Sequence, residues 1–169
     1  MLEANRQVSV RPATVSDAAA LAEIFQSSWR QAYTGVIPYD QLAKTLAHRG
    51  ERWWSRTIYR GGTYLILEVL GQPAGYASFG RARYPGPQEG EIYELYLSPL
   101  YQGLGFGEYL FEACRAALDQ RGLKGLMVWV LSDNVAAREF YSHRGGVAKL
   151  RRIDLSLGAK LEKHGYVWD

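Results

Sequence analysis

Residues 91–107 read Glu91-Ile-Tyr-Glu-Leu-Tyr-Leu-Ser-Pro-Leu-Tyr-Gln-Gly-Leu-Gly-Phe-Gly107, and the reading of this stretch decides the fold. Glu91 to Leu97 has the aromatic and apolar content of a strand, and Ser98-Pro99 ends it. Behind it, Phe106, Leu110, Ala113, Cys114 and Ala117 share one helical face up to Arg121, with Gly122 as the stop. Gly103, Gly105 and Gly107 fall between strand and helix. Glycine lets a backbone approach a ligand closely, and the first amides of a helix have no partner within it. Together with the positive end of the helix dipole they make a pyrophosphate site. The alternative is a purely structural turn. A P-loop would need Gly-x-x-x-x-Gly-Lys-Ser/Thr, which is absent. A dinucleotide fingerprint would need glycine where Glu108 stands and an acid after the next strand, whereas Asp119 lies within the same helix. The pattern Gln/Arg-x-x-Gly-x-Gly/Ala is met in full by Gln102-Gly-Leu-Gly-Phe-Gly107.

Working outward, a short strand from Gln7 to Arg11 stops at Pro12, and Thr14-Val-Ser-Asp17 has capping-box spacing. Leu21, Phe25, Ser28, Trp29 and Ala32 then predict a helix over about Val15 to Tyr33, ended by Gly35. A short helix opens at Pro38 and runs through Leu46, and a third runs from about His48 to Tyr59. After Gly61-Gly62 come strands at Thr63 to Leu70 and Ala74 to Arg83, with Gly71-Gln-Pro73 as the turn between them. Tyr84-Pro-Gly-Pro87 reads as a surface loop before strand four. Beyond the glycine loop and its helix, Leu126 to Leu131 reads as a strand buried on both faces. Val135 to His143 is a short helix, and Val147 to Leu155 and Leu161 to Trp168 are the last strands. Helices interrupt strands without strict alternation, which predicts a mixed sheet with helices on both faces in one domain spanning residues 1–169.

A second segment sharpens this. Trp129-Val-Leu-Ser-Asp-Asn-Val-Ala-Ala-Arg-Glu-Phe-Tyr141, with Asn134, Ala137, Phe140 and Tyr141 in place, follows Gly107 at a distance that fits one helix and one strand. With Gln102–Gly107, it makes the sequence resemble the GCN5-related N-acetyltransferase (GNAT) family. The resemblance implies an α/β (α+β) fold with a mixed, mostly antiparallel sheet of six to seven strands. It implies a splay between strands 4 and 5 and a bulge in strand 4, and acetyl transfer from acetyl-coenzyme A to a primary amine. On that reading, Gln102, Gly103, Leu104, Gly105, Phe106 and Gly107 hold the pyrophosphate. Leu95, Tyr96 and Leu97 offer backbone groups to the pantetheine, and Asn134 lies near it, although capping the helix is its simpler role. Tyr141 matches the residue that protonates the leaving thiolate, with a packed core aromatic as the alternative. Glu91 and Glu94 are candidates for the base that deprotonates the amine, surface or salt-bridged acids being the alternative. The acceptor side would involve the aromatic-rich N-terminal helices, with Trp29, Arg30, Tyr33, Tyr39, Trp53 and Trp54. A non-catalytic acetyl-coenzyme A sensor is the competing function, and pairing of two copies through the last strands is compatible with the family. One departure is Gly145-Gly146-Val147, where the family often has Gly-Phe.

Composition narrows the setting. Hydrophobic residues are 47% and charged residues 22%, as in an ordinary folded domain. A net charge of +3, with no basic run longer than Arg151-Arg152, gives no reason to expect a nucleic-acid partner. His48, His143 and His164 are scattered, so no metal is expected, and Arg138 and Lys124 read as solvated residues rather than phosphate ligands. Cys114, the single cysteine, lies on an apolar helical face and fits a reducing compartment. The longest apolar run, Leu126 to Leu131, is far short of the roughly 20 residues of a membrane span, and the first residues lack a leader's apolar stretch. The expectation is a cytoplasmic protein.

Overall fold

Alternating and apolar runs become seven strands: β1 (Val8–Pro12), β2 (Tyr64–Val69), β3 (Gln72–Arg81), β4 (Gly90–Leu97), β5 (Leu126–Leu131), β6 (Val147–Asp154) and β7 (Leu161–Trp168). The amphipathic runs become α1 (Ala18–Tyr33), α2 (Tyr39–His48), α3 (Glu51–Tyr59), α4 (Gly107–Gln120) and α5 (Val135–His143). The computed structural model describes residues 7–169; the leader reading rests on the first residues, of which 1–6 lie outside that range. The strands form one sheet in the order β1-β2-β3-β4-β5-β7-β6, antiparallel except for β4 beside β5. Among the described residues, no helix is long and apolar enough to cross a membrane.

Local chemistry explains most boundaries. Asp17 accepts from the Thr14 amide at 2.7 Å, closing the capping box, and one 3-10 turn (Val15–Asp17) then precedes α1. The β2–β3 turn differs from expectation. It is the two-residue Leu70-Gly71, with φ of 51° and 77°, and Gln72 and Pro73 belong to β3. Two positive φ values match the twist of the flanking strands. Pro73 is tolerated because it sits at the register shift between Leu67 and Glu68, where the ladder is interrupted. α2 continues to His48 and α3 starts only at Glu51, so Arg49 and Gly50 stand between them. The family's missing aromatic after α5 is replaced from elsewhere: Trp168 of β7 packs against Gly146, where a Cβ would meet its ring at 2.6 Å.

The sheet separates two apolar layers. On one face α4 and α5 pack with Leu110, Phe111, Cys114, Leu118, Tyr141 and Trp168 in the core. On the other, α1, α2 and α3 bring Leu21, Phe25, Leu42 and Trp54 onto Ile66 and Tyr76. β6 closes the sheet as an edge strand with Val147, Leu150 and Ile153 exposed.

β4 and β5 decide where the site falls. They pair only at Gly90↔Leu126 and Glu91↔Met127, then part. Tyr93 has no register partner between Glu94↔Ser78 and Ile92↔Phe79, so β4 is bulged there, as the resemblance implied. Beyond that point β4 keeps only β3 as a neighbour. Burial pushes the Cys114 thiol up to about 12, so the sulfur stays protonated and sealed. An aromatic disulfide reagent is therefore expected to leave the native protein unlabelled at pH 8 and to label one thiol per chain once urea unfolds it.

Candidate active site

The parting strands leave main-chain groups without partners. Ser98 donates its amide to Ala74 O at 2.8 Å, which fixes the ladder's alternation. Glu94 and Tyr96 therefore turn their backbone groups to β3, while Leu95 and Leu97 turn theirs into the gap. The Leu97 carbonyl is satisfied there by side chains, accepting from Gln102 Nε2 at 3.0 Å and from Ser28 Oγ at 3.2 Å. The Leu97 amide and both backbone groups of Leu95 face the gap with no strand beside them.

A cavity of about 460 Å³ occupies this gap. β4 contributes Leu95, Tyr96 and Leu97, and the glycine loop contributes Gln102, Gly103 and Gly107. Asn134, Ala137, Phe140 and Tyr141 close the side toward α5, and Ser28, Ala32 and Val36 close the side toward α1. Gly103 and Gly105 have φ of 73° and 84°, conformations that carry the chain sharply from β4 into α4. Between them Leu104 is exposed, and Phe106 packs on Tyr101 instead of lining the cavity. Gly107, the first residue of α4, must lack a side chain, since a Cβ would lie 2.9 Å from the Phe140 ring. The first amides of α4 thus stand at the end of a half-apolar channel, the arrangement that receives an anion with an extended tail.

Residues 19–145 match the acetyltransferase (GNAT) family. The chain belongs to that family. It is 33% identical over 165 residues to the uncharacterized N-acetyltransferase YuaI of Bacillus subtilis, covering 95% of this chain and 92% of that one. It is 28% identical over 158 residues to the L-amino acid N-acyltransferase MnaT of Escherichia coli, covering 92% and 90%. The fold matches that of the PaiA N-acetyltransferase of Thermoplasma acidophilum, solved in complex with coenzyme A. There the TM-score is 0.75 at 16% identity, covering 93% of this chain and 97% of that one. The seven-stranded GNAT sheet with helices on both faces is thus the fold of this protein, and acyl transfer is its class of chemistry.

Within this GNAT cavity the residues singled out from sequence fall into two groups. Leu95, Tyr96, Leu97, Gln102, Gly103, Gly107, Asn134 and Tyr141 are brought together around one space. Asn134 does cap α5, its Oδ1 accepting from the Ala137 amide at 3.1 Å. Tyr141 is 5% exposed, and burial pushes its hydroxyl well up from the ordinary tyrosine range.

The carboxylates are elsewhere. Glu91 has no exposed surface and sits on the paired half of β4, where it accepts from the Arg83 amide at 3.1 Å and from the Arg83 guanidinium. It does not reach the cavity. Glu94 lies on the splayed half but faces α1 and α3. There Arg49 grips it with two donors, at 2.9 and 3.2 Å, and Tyr76 donates its hydroxyl at 2.5 Å.

Sequence reasoning missed Arg49, Tyr76 and Gln31. Arg49 is enclosed by rings, its guanidinium carbon 4.2 Å from the Phe25 centroid and 4.3 Å from that of Trp53. Forty-five residues separate it from Glu94, so no local pattern announces the pair. Gln31 accepts from Gln102 Nε2 at 2.7 Å and ties α1 to the loop. Ser28 carried a signal, a polar residue within an apolar helical stripe.

Both partners of the Arg49–Glu94 pair are mostly buried, with side chains 14% and 20% exposed, so removing one strands the other in a low-dielectric setting. Urea unfolding of Arg49→Met is expected to show a loss of about 3–5 kcal/mol. The Arg49→Met/Glu94→Gln double variant should lose less than the sum of the two single changes.

Proposed function

We propose that this protein transfers the acetyl group of acetyl-coenzyme A to a primary amine. The observation that carries the reading is the unpaired edge of β4, which runs from Leu95 to Leu97 straight into the glycine loop with Tyr141 in the same cavity. The fit to the cosubstrate rests on shape and donors. The left-handed glycines and the N-terminus of α4 suit a diphosphate, and the backbone groups of Leu95 suit the amides of the pantetheine arm, as an added strand would. When bound, acetyl-coenzyme A supplies the activated acyl group as a thioester.

The chain's own residues have distinct tasks on this reading. Gln102 and Ser28 hold the Leu97 carbonyl, which leaves the neighbouring amide aimed into the gap as a donor for developing negative charge. Asn134 fixes the start of α5 and so the placement of Tyr141. Tyr141 keeps its proton throughout the neutral range, because burial disfavours the phenolate, and hands it to the departing sulfur. We assign the amine's proton to Glu94, through water, since it is the carboxylate on the splayed half of β4. Glu91 has a structural role against Arg83.

Steady-state kinetics over a panel of amines tests this. Tyr141→Phe is expected to lower kcat about 10²- to 10⁴-fold with coenzyme A affinity little changed. Because the Tyr141 hydroxyl titrates above its usual value of about 10, the native rate should show no fall on the alkaline side up to about pH 9. Glu94→Gln should make the rate rise more steeply with pH, as only amine already deprotonated in solution can react. Acetyl-coenzyme A binding without thiol release from any acceptor would instead identify a sensor.

A further inference from the structure

The register of β5, β7 and β6 lays out the sheet surface beside the cavity on the α1 side. Leu131, which lines the cavity, lies opposite Lys163, and Lys163 lies opposite Arg152. Directly paired residues point to the same face, so the three side chains form a row leading away from the cavity, one strand spacing of about 5 Å at a time. The adjoining row is Trp129, Gly165 and Leu150. A Cβ on Gly165 would lie 2.8 Å from Leu150 Cβ and 3.2 Å from the Trp129 ring, so glycine there gives the indole its room.

Arg152 leans back over that indole. Its guanidinium carbon is 5.5 Å from the Trp129 centroid and 4.5 Å from that of Tyr84, and the two rings meet edge to face at 5.7 Å. A half-buried guanidinium is thus held in place by two aromatic rings. The carboxylates of Glu94 and Asp154 on this side already have cations, Arg49 at 2.9 Å and Lys163 at 2.8 Å. Among the described residues Arg152 has no carboxylate within ion-pair distance, although its planar fork matches one bidentately. The cavity itself carries an acid without a cation among the described residues, the exposed Asp133 after β5. Asp133 thus lines the cavity, while the guanidinium of Arg152 lies over Trp129 of β5, on the face of the sheet that Trp129 shares with Leu131.

We propose that Arg152 is the specificity-determining residue of the acceptor side: it binds the carboxylate of a primary amine that also bears one, so that the acceptor is amino-acid-like and not a polyamine. This rests on the amine-acetylation reading above. Arg152 contacts the acceptor and takes no part in moving the acetyl group or the proton.

Matched probes test it with the full-length protein: L-leucine, L-phenylalanine, L-serine and L-aspartate, each against its α-amide, with spermidine as a cationic comparator. Thiol release from acetyl-coenzyme A gives kcat and KM, and calorimetry on the coenzyme A complex gives acceptor binding without turnover. The expected result is a KM at least tenfold lower for one or more acids than for the matched amide. Arg152→Gln should erase that preference by raising KM with kcat little altered, and Arg152→Lys should restore part of it. An unchanged thermal midpoint in Arg152→Gln would show that the variant folds. Acids that bind in an Arg152-dependent way but release no thiol support the anion site and overturn the transferase reading alone. Equal use of acids and amides, or a preference that survives Arg152→Gln, overturns the proposal while leaving acetyl transfer intact. Failure of every acid to bind or react overturns it as well.

Discussion

Two adjacent parallel strands that separate after two residue pairs are the constraint on which the rest of this structure depends. Backbone amides and carbonyls lacking partners away from water cost about 1–3 kcal/mol each, so an open seam inside a sheet needs compensation. The bulge at Tyr93 adds local twist and helps turn β4 from β5. The Leu97 carbonyl is then satisfied by Ser28 from α1 and by Gln102 from the loop, which anchors the end of the splayed strand to two other elements. What stays open is a short, ordered set of groups at Leu95 and Leu97, together with the free amides at the start of α4. On the proposed reading, their exposure to one cavity is what lets an incomplete sheet receive a ligand with amides and a diphosphate.

Polar groups behind that surface are arranged to hold it still. Arg49, between α2 and α3, is packed among Phe25, Trp53 and Trp54 and fastens Glu94 of β4. Such a pair is weak evidence for net stability, because desolvation offsets much of the attraction, but it defines where the helices sit on the strand. Arg83 does the same for Glu91 at the closed end of the seam. Both carboxylates named as candidate bases are therefore part of the framework, and only Glu94 stands beside the splay. On the same face of the sheet Lys163 pairs with Asp154, while Arg152 lies against the rings of Tyr84 and Trp129.

The seams between elements were the hardest part of the fold to read. Runs with a clear period were legible: β5, α5 and β7 fall on the residues their patterns indicated, with Gly125 directly before β5 and Asn134 directly before α5. The β2–β3 turn was misplaced because proline signals a turn, whereas here a bulge lets Pro73 stand inside a strand. The aromatic missing after α5 was invisible as a compensation, because Trp168 fills that place from the far end of the chain. In the same way Tyr141 and the glycine loop could be picked out as short motifs, while Arg49 and Tyr76 could not, having no local pattern that distinguishes them among 12 tyrosines and many surface arginines.

Local order is what the amino-acid sequence determined unaided: where helices begin, where glycine permits a sharp turn, and which stretch could receive a phosphate. These depend on neighbours within a few positions, whose steric and hydrogen-bonding preferences act over a single turn. Only the tertiary structure decided which carboxylate stands by the seam, which arginine rests on aromatic rings, and which carbonyl accepts from a serine of a distant helix. Those outcomes depend on groups far apart in the chain coming within a few ångströms, where Coulomb and hydrogen-bond energies change steeply with distance.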